Sequence, residues 1–208
     1  MGPAIVEAVL PRTSALIREA AGERRPQLLA ANINVVFIVT APDGDFSLPR
    51  MERYLELVWE SGATPVIVVN KADLKNDVIG PTGQIEGIAP SVPVHGISAR
   101  AHNGARDLEQ YFHGNRTVVL IGSSGVGKST LTNQLVGRAA QATQEVRAHD
   151  NRGRHTTTHR QLFSRPQGGA IVDTPGLRGL EVWNAPEGSK DKFDDVQAFA
   201  MSISRLSA

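Results

Sequence analysis

The apolar positions of this 208-residue chain fall mostly in short unbroken runs, with little strict alternation and no heptad repeat. Runs at Val35–Val39, Pro65–Val69, Val92–Ile97, Thr117–Ile121 and Ala170–Val172 predict strands covered on both faces, as in a parallel sheet. A further strand over Arg160–Phe163 meets the last run across Gly168-Gly169, which predicts a hairpin with one antiparallel edge strand. Between the runs the spacing turns helical. Leu48–Ser61 predicts a helix with Ser47 as N-cap, Pro49 in the first turn and Gly62 as its stop. Gly104–Phe112 and Lys128–Val136 predict two more, whereas Asn76–Pro90 reads as turn-rich and Gln141–Thr158 as a long polar segment that a ligand must order. Strands alternating with helices give an α/β fold: a three-layer sandwich around a mainly parallel sheet.

The loops that follow three of these strands carry chemistry. Gly122-Ser123-Ser124-Gly125-Val126-Gly127-Lys128-Ser129-Thr130 comes directly after a strand and opens a helix, the context of a P-loop NTPase. Its amides can turn toward phosphate oxygens, Lys128 adds charge for the outer phosphates, and the Ser129 hydroxyl can ligate Mg2+. Asn70-Lys71-Ala72-Asp73 ends another strand. The Asp73 carboxylate can accept from guanine N1–H and the exocyclic amine, two donors that adenine does not present together. Asn70 would brace the purine edge, the Lys71 stem would lie along the ring, and in Ile97-Ser98-Ala99 the Ala99 amide could reach guanine O6. Asp173-Thr174-Pro175-Gly176 supplies a carboxylate for the outer shell of the magnesium ion and, at Gly176, an amide for the γ-phosphate. Gly153-Arg154-His155-Thr156-Thr157-Thr158 offers Thr156 or Thr157 as the second hydroxyl ligand. These parts together make a GTPase site.

A Ras-like chain meets the P-loop first and the guanine-reading motifs last, so the order here is a circular permutation. All these loops lie at the carboxyl edge of a parallel sheet, where ligands bind wherever the chain is cut. On these motifs, together with Val9-Leu10-Pro11-Arg12-Thr13-Ser14-Ala15-Leu16, the chain from about Ala4 to about Leu180 resembles the ribosome-small-subunit-dependent GTPase A family. That resemblance implies hydrolysis of GTP to GDP and phosphate, stimulation by the small ribosomal subunit and its RNA, a part in its late maturation, and residence in the bacterial cytoplasm.

Leu177 stands just after Gly176, where a Ras-like enzyme has glutamine, and it cannot hydrogen-bond water. His155 is the catalytic candidate to orient that water, with Lys128 beside the phosphates. Family members carry an oligonucleotide-binding barrel before the GTPase domain and a zinc domain after it. Residues 1–25 are expected to be a remnant of the last barrel strand, at Ala4–Leu10, and a linker. Residues 26–182 are expected to form the GTPase domain, and 183–208 to lead toward a zinc domain. The chain has no cysteine, so no thiolate zinc site is expected in it. The alternative function is a guanine-nucleotide-binding assembly module with negligible hydrolysis. An ATP-dependent enzyme is a third reading, which Asp73 opposes.

Composition narrows the classes further. An apolar content of 40% suits one medium domain, and no run approaches the roughly 20 residues of a membrane span. A formal charge of +1 excludes a global basic field, so any RNA contact must be local, with Arg152, Arg154, His159 and Arg160 as candidates. A monomer is expected, and Trp59 is expected to be a packing residue.

Overall fold

The computed structural model describes residues 8, 11–19, 26–42, 46–73, 79–101, 104–137 and 161–173. In chain order these hold β1 (Ala15–Glu19), β2 (Pro26–Ala31), β3 (Val35–Thr40), α1 (Leu48–Glu60), β4 (Thr64–Val69), α2 (Ile79–Ile88) and β5 (Val94–Gly96). A 3-10 helix (Arg106–Phe112), β6 (Thr117–Ile121), α3 (Lys128–Val136), β7 (Gln161–Ser164) and β8 (Ala170–Asp173) follow. The main sheet has the order β5-β4-β3-β6-β8-β7, parallel throughout except that β7 runs antiparallel along β8.

Each central strand is apolar at consecutive positions because both sheet faces are covered. Alternate residues Val35, Phe37 and Val39 join Leu108, Phe112, Leu131 and Leu135 on the face of the 3-10 helix and α3. Val36 and Ile38 join Met51, Tyr54, Leu55, Val58 and Ile85 on the face of α1 and α2, together with Leu16 and Leu29 of the first hairpin. This is the three-layer α/β sandwich that the strand and helix spacing predicts. Phe37 anchors its layer with edge-to-face contacts to Tyr111 and Phe112, at ring separations of 5.6 and 6.0 Å.

Several local expectations need correction. The segment read as turn-rich contains α2, although Gly80, Pro81, Gly83 and Gly87 are poor helix formers. Pro81 falls in the first turn, where its missing N–H is tolerated, and the completely buried Ile85 docks the helix. The predicted helix over Gly104–Phe112 is a 3-10 helix from Arg106. Ser47 occupies the N-cap of α1 in extended conformation, but its hydroxyl makes no capping bond. Gly62 does end α1, at φ +78°, with its amide on the Trp59 carbonyl. Trp59 itself is exposed.

The antiparallel hairpin β1–β2 has no counterpart among the elements that the apolar pattern predicts. It joins residues on both sides of position 25 and is tied to α1 by the Ala15 amide on the Ser61 carbonyl, 3.0 Å. No helix among the described residues is long and apolar enough to cross a membrane.

Candidate functional site

The parallel strands deliver their carboxyl ends to one edge. In the sheet register Thr40 of β3 pairs with Val69 of β4, Ile38 with Ile121 of β6, Val69 with Gly96 of β5, and Val119 with Val172 of β8. The loops beginning at Asn70, Ile97 and Gly122 and the end of β8 at Asp173 therefore share that edge.

Asn70 locks three of them together. It is 2% exposed, too buried to be left without partners. Its Nδ2 donates to the Val126 carbonyl of the phosphate-type loop at 2.8 Å, and its Oδ1 accepts the Ala99 amide at 2.9 Å. Its own amide donates to the Thr40 carbonyl at 2.8 Å. The Ala99 amide, expected from sequence to face a guanine oxygen, is thus engaged by Asn70. The Ala72 amide adds a second tie, to the Ile97 carbonyl at 3.0 Å.

Lys71 has φ +63°. A lysine in the left-handed region costs about 1–2 kcal/mol, and such strain persists only where the surroundings impose it. Here the ties on Asn70 and Ala72 impose it from either side. The exposed Asp73 carboxyl is held below the usual carboxylate range, first by a hydrogen bond from Ser98, then by its own backbone amide and the charge of Arg100, against some desolvation. It therefore presents an ionised acceptor to solvent at neutral pH.

The glycines of the Gly122–Thr130 loop have separate causes. A Cβ on Gly122, at φ +139°, would lie 2.0 Å from the Val39 carbonyl oxygen; one on Gly127, at φ +95°, would lie 2.3 Å from Asn70 Nδ2. Both glycines let the loop press against the earlier half of the chain. Gly125, at φ +80°, would meet nothing within 4 Å, so its side faces open space. Lys128 Nζ donates to the Gly122 and Ser123 carbonyls at 2.6 and 2.5 Å, folding its charge over the loop. Ser129 and Thr130 follow as half-buried residues in the first turn of α3.

A family model described as RsgA GTPase matches residues 9–183. The chain belongs to the RsgA GTPase family. A protein of Oceanobacillus iheyensis named small ribosomal subunit biogenesis GTPase RsgA 1 is 47% identical over 180 residues, covering 86% of this chain and 51% of that protein. The crystal structure of YjeQ from Thermotoga maritima aligns with a TM-score of 0.60 at 29% identity, over 85% of this chain and 56% of that one. YloQ, described as a circularly permuted GTPase, aligns with a TM-score of 0.53 at 21% identity over 84% of this chain and 60% of that one, a likeness of fold. The chain spans about half the length of the curated relatives it matches.

Within this RsgA-type domain, the structure brings together Asn70, Lys71, Asp73, Ser98, Ala99 and Gly122 to Thr130. Asp173 ends β8, the neighbour of β6. His155, Thr156, Thr157 and Gly176 lie outside the described residues, as do Arg152, Arg154, His159 and Arg160. The motifs in the sequence do not single out Arg50, in the first turn of α1, whose Nη1 donates to Ser123 Oγ at 2.6 Å. A cation in a helix's first turn opposes the helix dipole, and that is the one local signal it carries.

Proposed function

We propose that this chain binds GTP and Mg2+ at the carboxyl edge of its sheet, hydrolyses GTP to GDP and phosphate, and assists maturation of the small ribosomal subunit in the cytoplasm as a monomer. The observation that carries the reading is the Asn70 side chain, which ties the base-reading loop to the phosphate loop and to the Ser98-Ala99 loop in one arrangement. Loops so joined can enclose a single guanine nucleotide. The ribosomal part rests on the names of the relatives.

In this reading the ionised Asp73 accepts the two guanine donors, and its bond from Ser98 aims the carboxylate. Lys128 exchanges the Gly122 and Ser123 carbonyls for phosphate oxygens, and the amides from Gly125 to Thr130 surround them. No three His, Cys, Asp or Glu side chains among the described residues cluster as a metal cage. Mg2+ keeps several waters and binds substrate phosphates with few protein ligands. Ser129 and one of Thr156 or Thr157 would hold it, with Asp173 receiving its waters and Gly176 donating to the γ-phosphate. When bound, the ion neutralises charge on the phosphate oxygens. His155 orients the attacking water in the role that Leu177 cannot fill.

The test is the nucleotide released when purified protein is denatured, followed by single-turnover GTP hydrolysis with and without small subunits. Near-stoichiometric guanine nucleotide and hydrolysis accelerated by subunits support the reading. Adenine nucleotide in the extract, or no binding of added GDP, refutes it.

A further inference from the structure

Two cations bond to one residue of the phosphate loop, one at its backbone and one at its side chain. Lys128 reaches the Ser123 carbonyl, and Arg50, from a segment 73 residues earlier, reaches the Ser123 hydroxyl. Arg50 is the third residue of α1, whose first turn contains no acidic side chain. The partial positive charge of that helix end disfavours a guanidinium by about 0.3–1 kcal/mol. An anion lodged in the loop would be attracted by both charges.

We infer that Arg50 is a positioning residue for nucleotide phosphate: it fixes Ser123, and with it the outer turn of the Gly122–Thr130 loop, and adds a second positive charge beside Lys128. The inference rests on the guanine-nucleotide reading above. Lys128 must leave two carbonyls of this turn to meet a phosphate, and the Arg50–Ser123 bond then remains to hold the turn in shape. α1 is itself seated by buried Met51, Tyr54, Leu55 and Val58, so its first turn is a firm base for that grip.

The test is titration of the full chain with fluorescent GDP, comparing the unaltered protein with R50A, R50K, S123A and the R50A/S123A double variant, alongside the melting temperature of each without nucleotide. A charge-assisted hydrogen bond of this kind corresponds to roughly a tenfold weaker Kd on its loss. R50A is expected to weaken GDP about tenfold, R50K to recover part of that, and the double variant to bind no worse than R50A. The melting temperature is expected to move little. GDP affinity in R50A within twofold of the unaltered protein overturns the inference, and so do additive losses in R50A and S123A. A loss that tracks a lowered melting temperature and is not relieved by R50K makes Arg50 merely structural and overturns it as well. Failure of the unaltered chain to bind GDP refutes the nucleotide reading instead.

Discussion

Replacing Asn70 with alanine should damage stability and ligand binding together. The substitution strips the Ala99 amide and the Val126 carbonyl of their partners at a residue 2% exposed. Leaving a buried backbone group unsatisfied costs about 1–3 kcal/mol. Two such groups give about 2–6 kcal/mol, and water admitted beside the half-buried Lys71 brings the expected loss to about 3 kcal/mol. Against a domain stability of about 5–15 kcal/mol, that is a large fraction. The assay is urea unfolding of the nucleotide-free protein followed by far-UV circular dichroism, with GDP titration on the same samples.

A second substitution tests the geometry behind that figure. G127A puts a methyl 2.3 Å from Asn70 Nδ2 and forces alanine into φ +95°. In the N70A background the steric partner is gone and only the backbone strain remains, about 1–2 kcal/mol. The double variant should therefore be more stable than the sum of the single losses implies, by at least about 1 kcal/mol. A loss below about 1 kcal/mol in N70A, or strict additivity with G127A, would refute the claim that this side chain is wedged between the two loops.

Other outcomes follow from the same site. D73N should transfer preference from guanine to xanthine nucleotides in competition binding, since only a base read by that carboxylate can be exchanged this way; unchanged preference removes Asp73 from base recognition. The Asp73 carboxyl is depressed chiefly by Ser98, so its contribution is present above the unfolded carboxylate pKa of about 3.9 and is lost as pH falls through the folded value. S98A should move its NMR carboxyl titration to higher pH, and an unmoved titration denies the Ser98 bond. H155A should slow single-turnover hydrolysis by about 100-fold with GTP affinity nearly unchanged, and equal rates would remove the histidine from the mechanism. N34A, which takes an acceptor from the Thr117 amide at the opposite sheet edge, should lower stability by about 1 kcal/mol in urea unfolding; unchanged stability would deny that this bond holds the strand ends together.

The central strands were legible because full burial on two faces demands unbroken apolar runs: β6 begins and ends where its run does, and β3 and β4 differ from theirs by a single residue. The candidate loops were legible because glycine, lysine and aspartate at these intervals after buried strands form a pattern with a stated mechanism for holding a phosphate and a base. The hairpin β1–β2 was not, since its pairing is irregular between Leu16 and Ile17 and its strands mix Arg18, Glu19, Pro26 and Gln27 with apolar residues. α2 was hidden by its glycines, since tertiary packing of Ile85 outweighs their propensity. Arg50 was hidden because its partner is distant in sequence, and no local pattern encodes a contact across 73 residues.

The permuted order sets a physical problem that two asparagines address. The half of the chain that carries Asn70 to Asp73 and the half that carries Gly122 to Thr130 meet along the parallel seam of β3 and β6, from Val35 opposite Val118 to Ile38 opposite Ile121. Backbone pairing alone permits such strands to slide, because both faces are apolar and neighbouring registers bury similar side chains. At the amino edge Asn34 donates its amide to the Thr117 carbonyl and accepts the Thr117 amide on its side chain, at 2.9 and 2.8 Å. At the carboxyl edge Asn70 grips Val126, and the bare α-carbon of Gly122 lies close against the Val39 carbonyl. Pinning both ends of one seam fixes the register, and the register fixes the distance from Asp73 to the phosphate loop. The proposed guanine nucleotide, of set length, would need that distance constant.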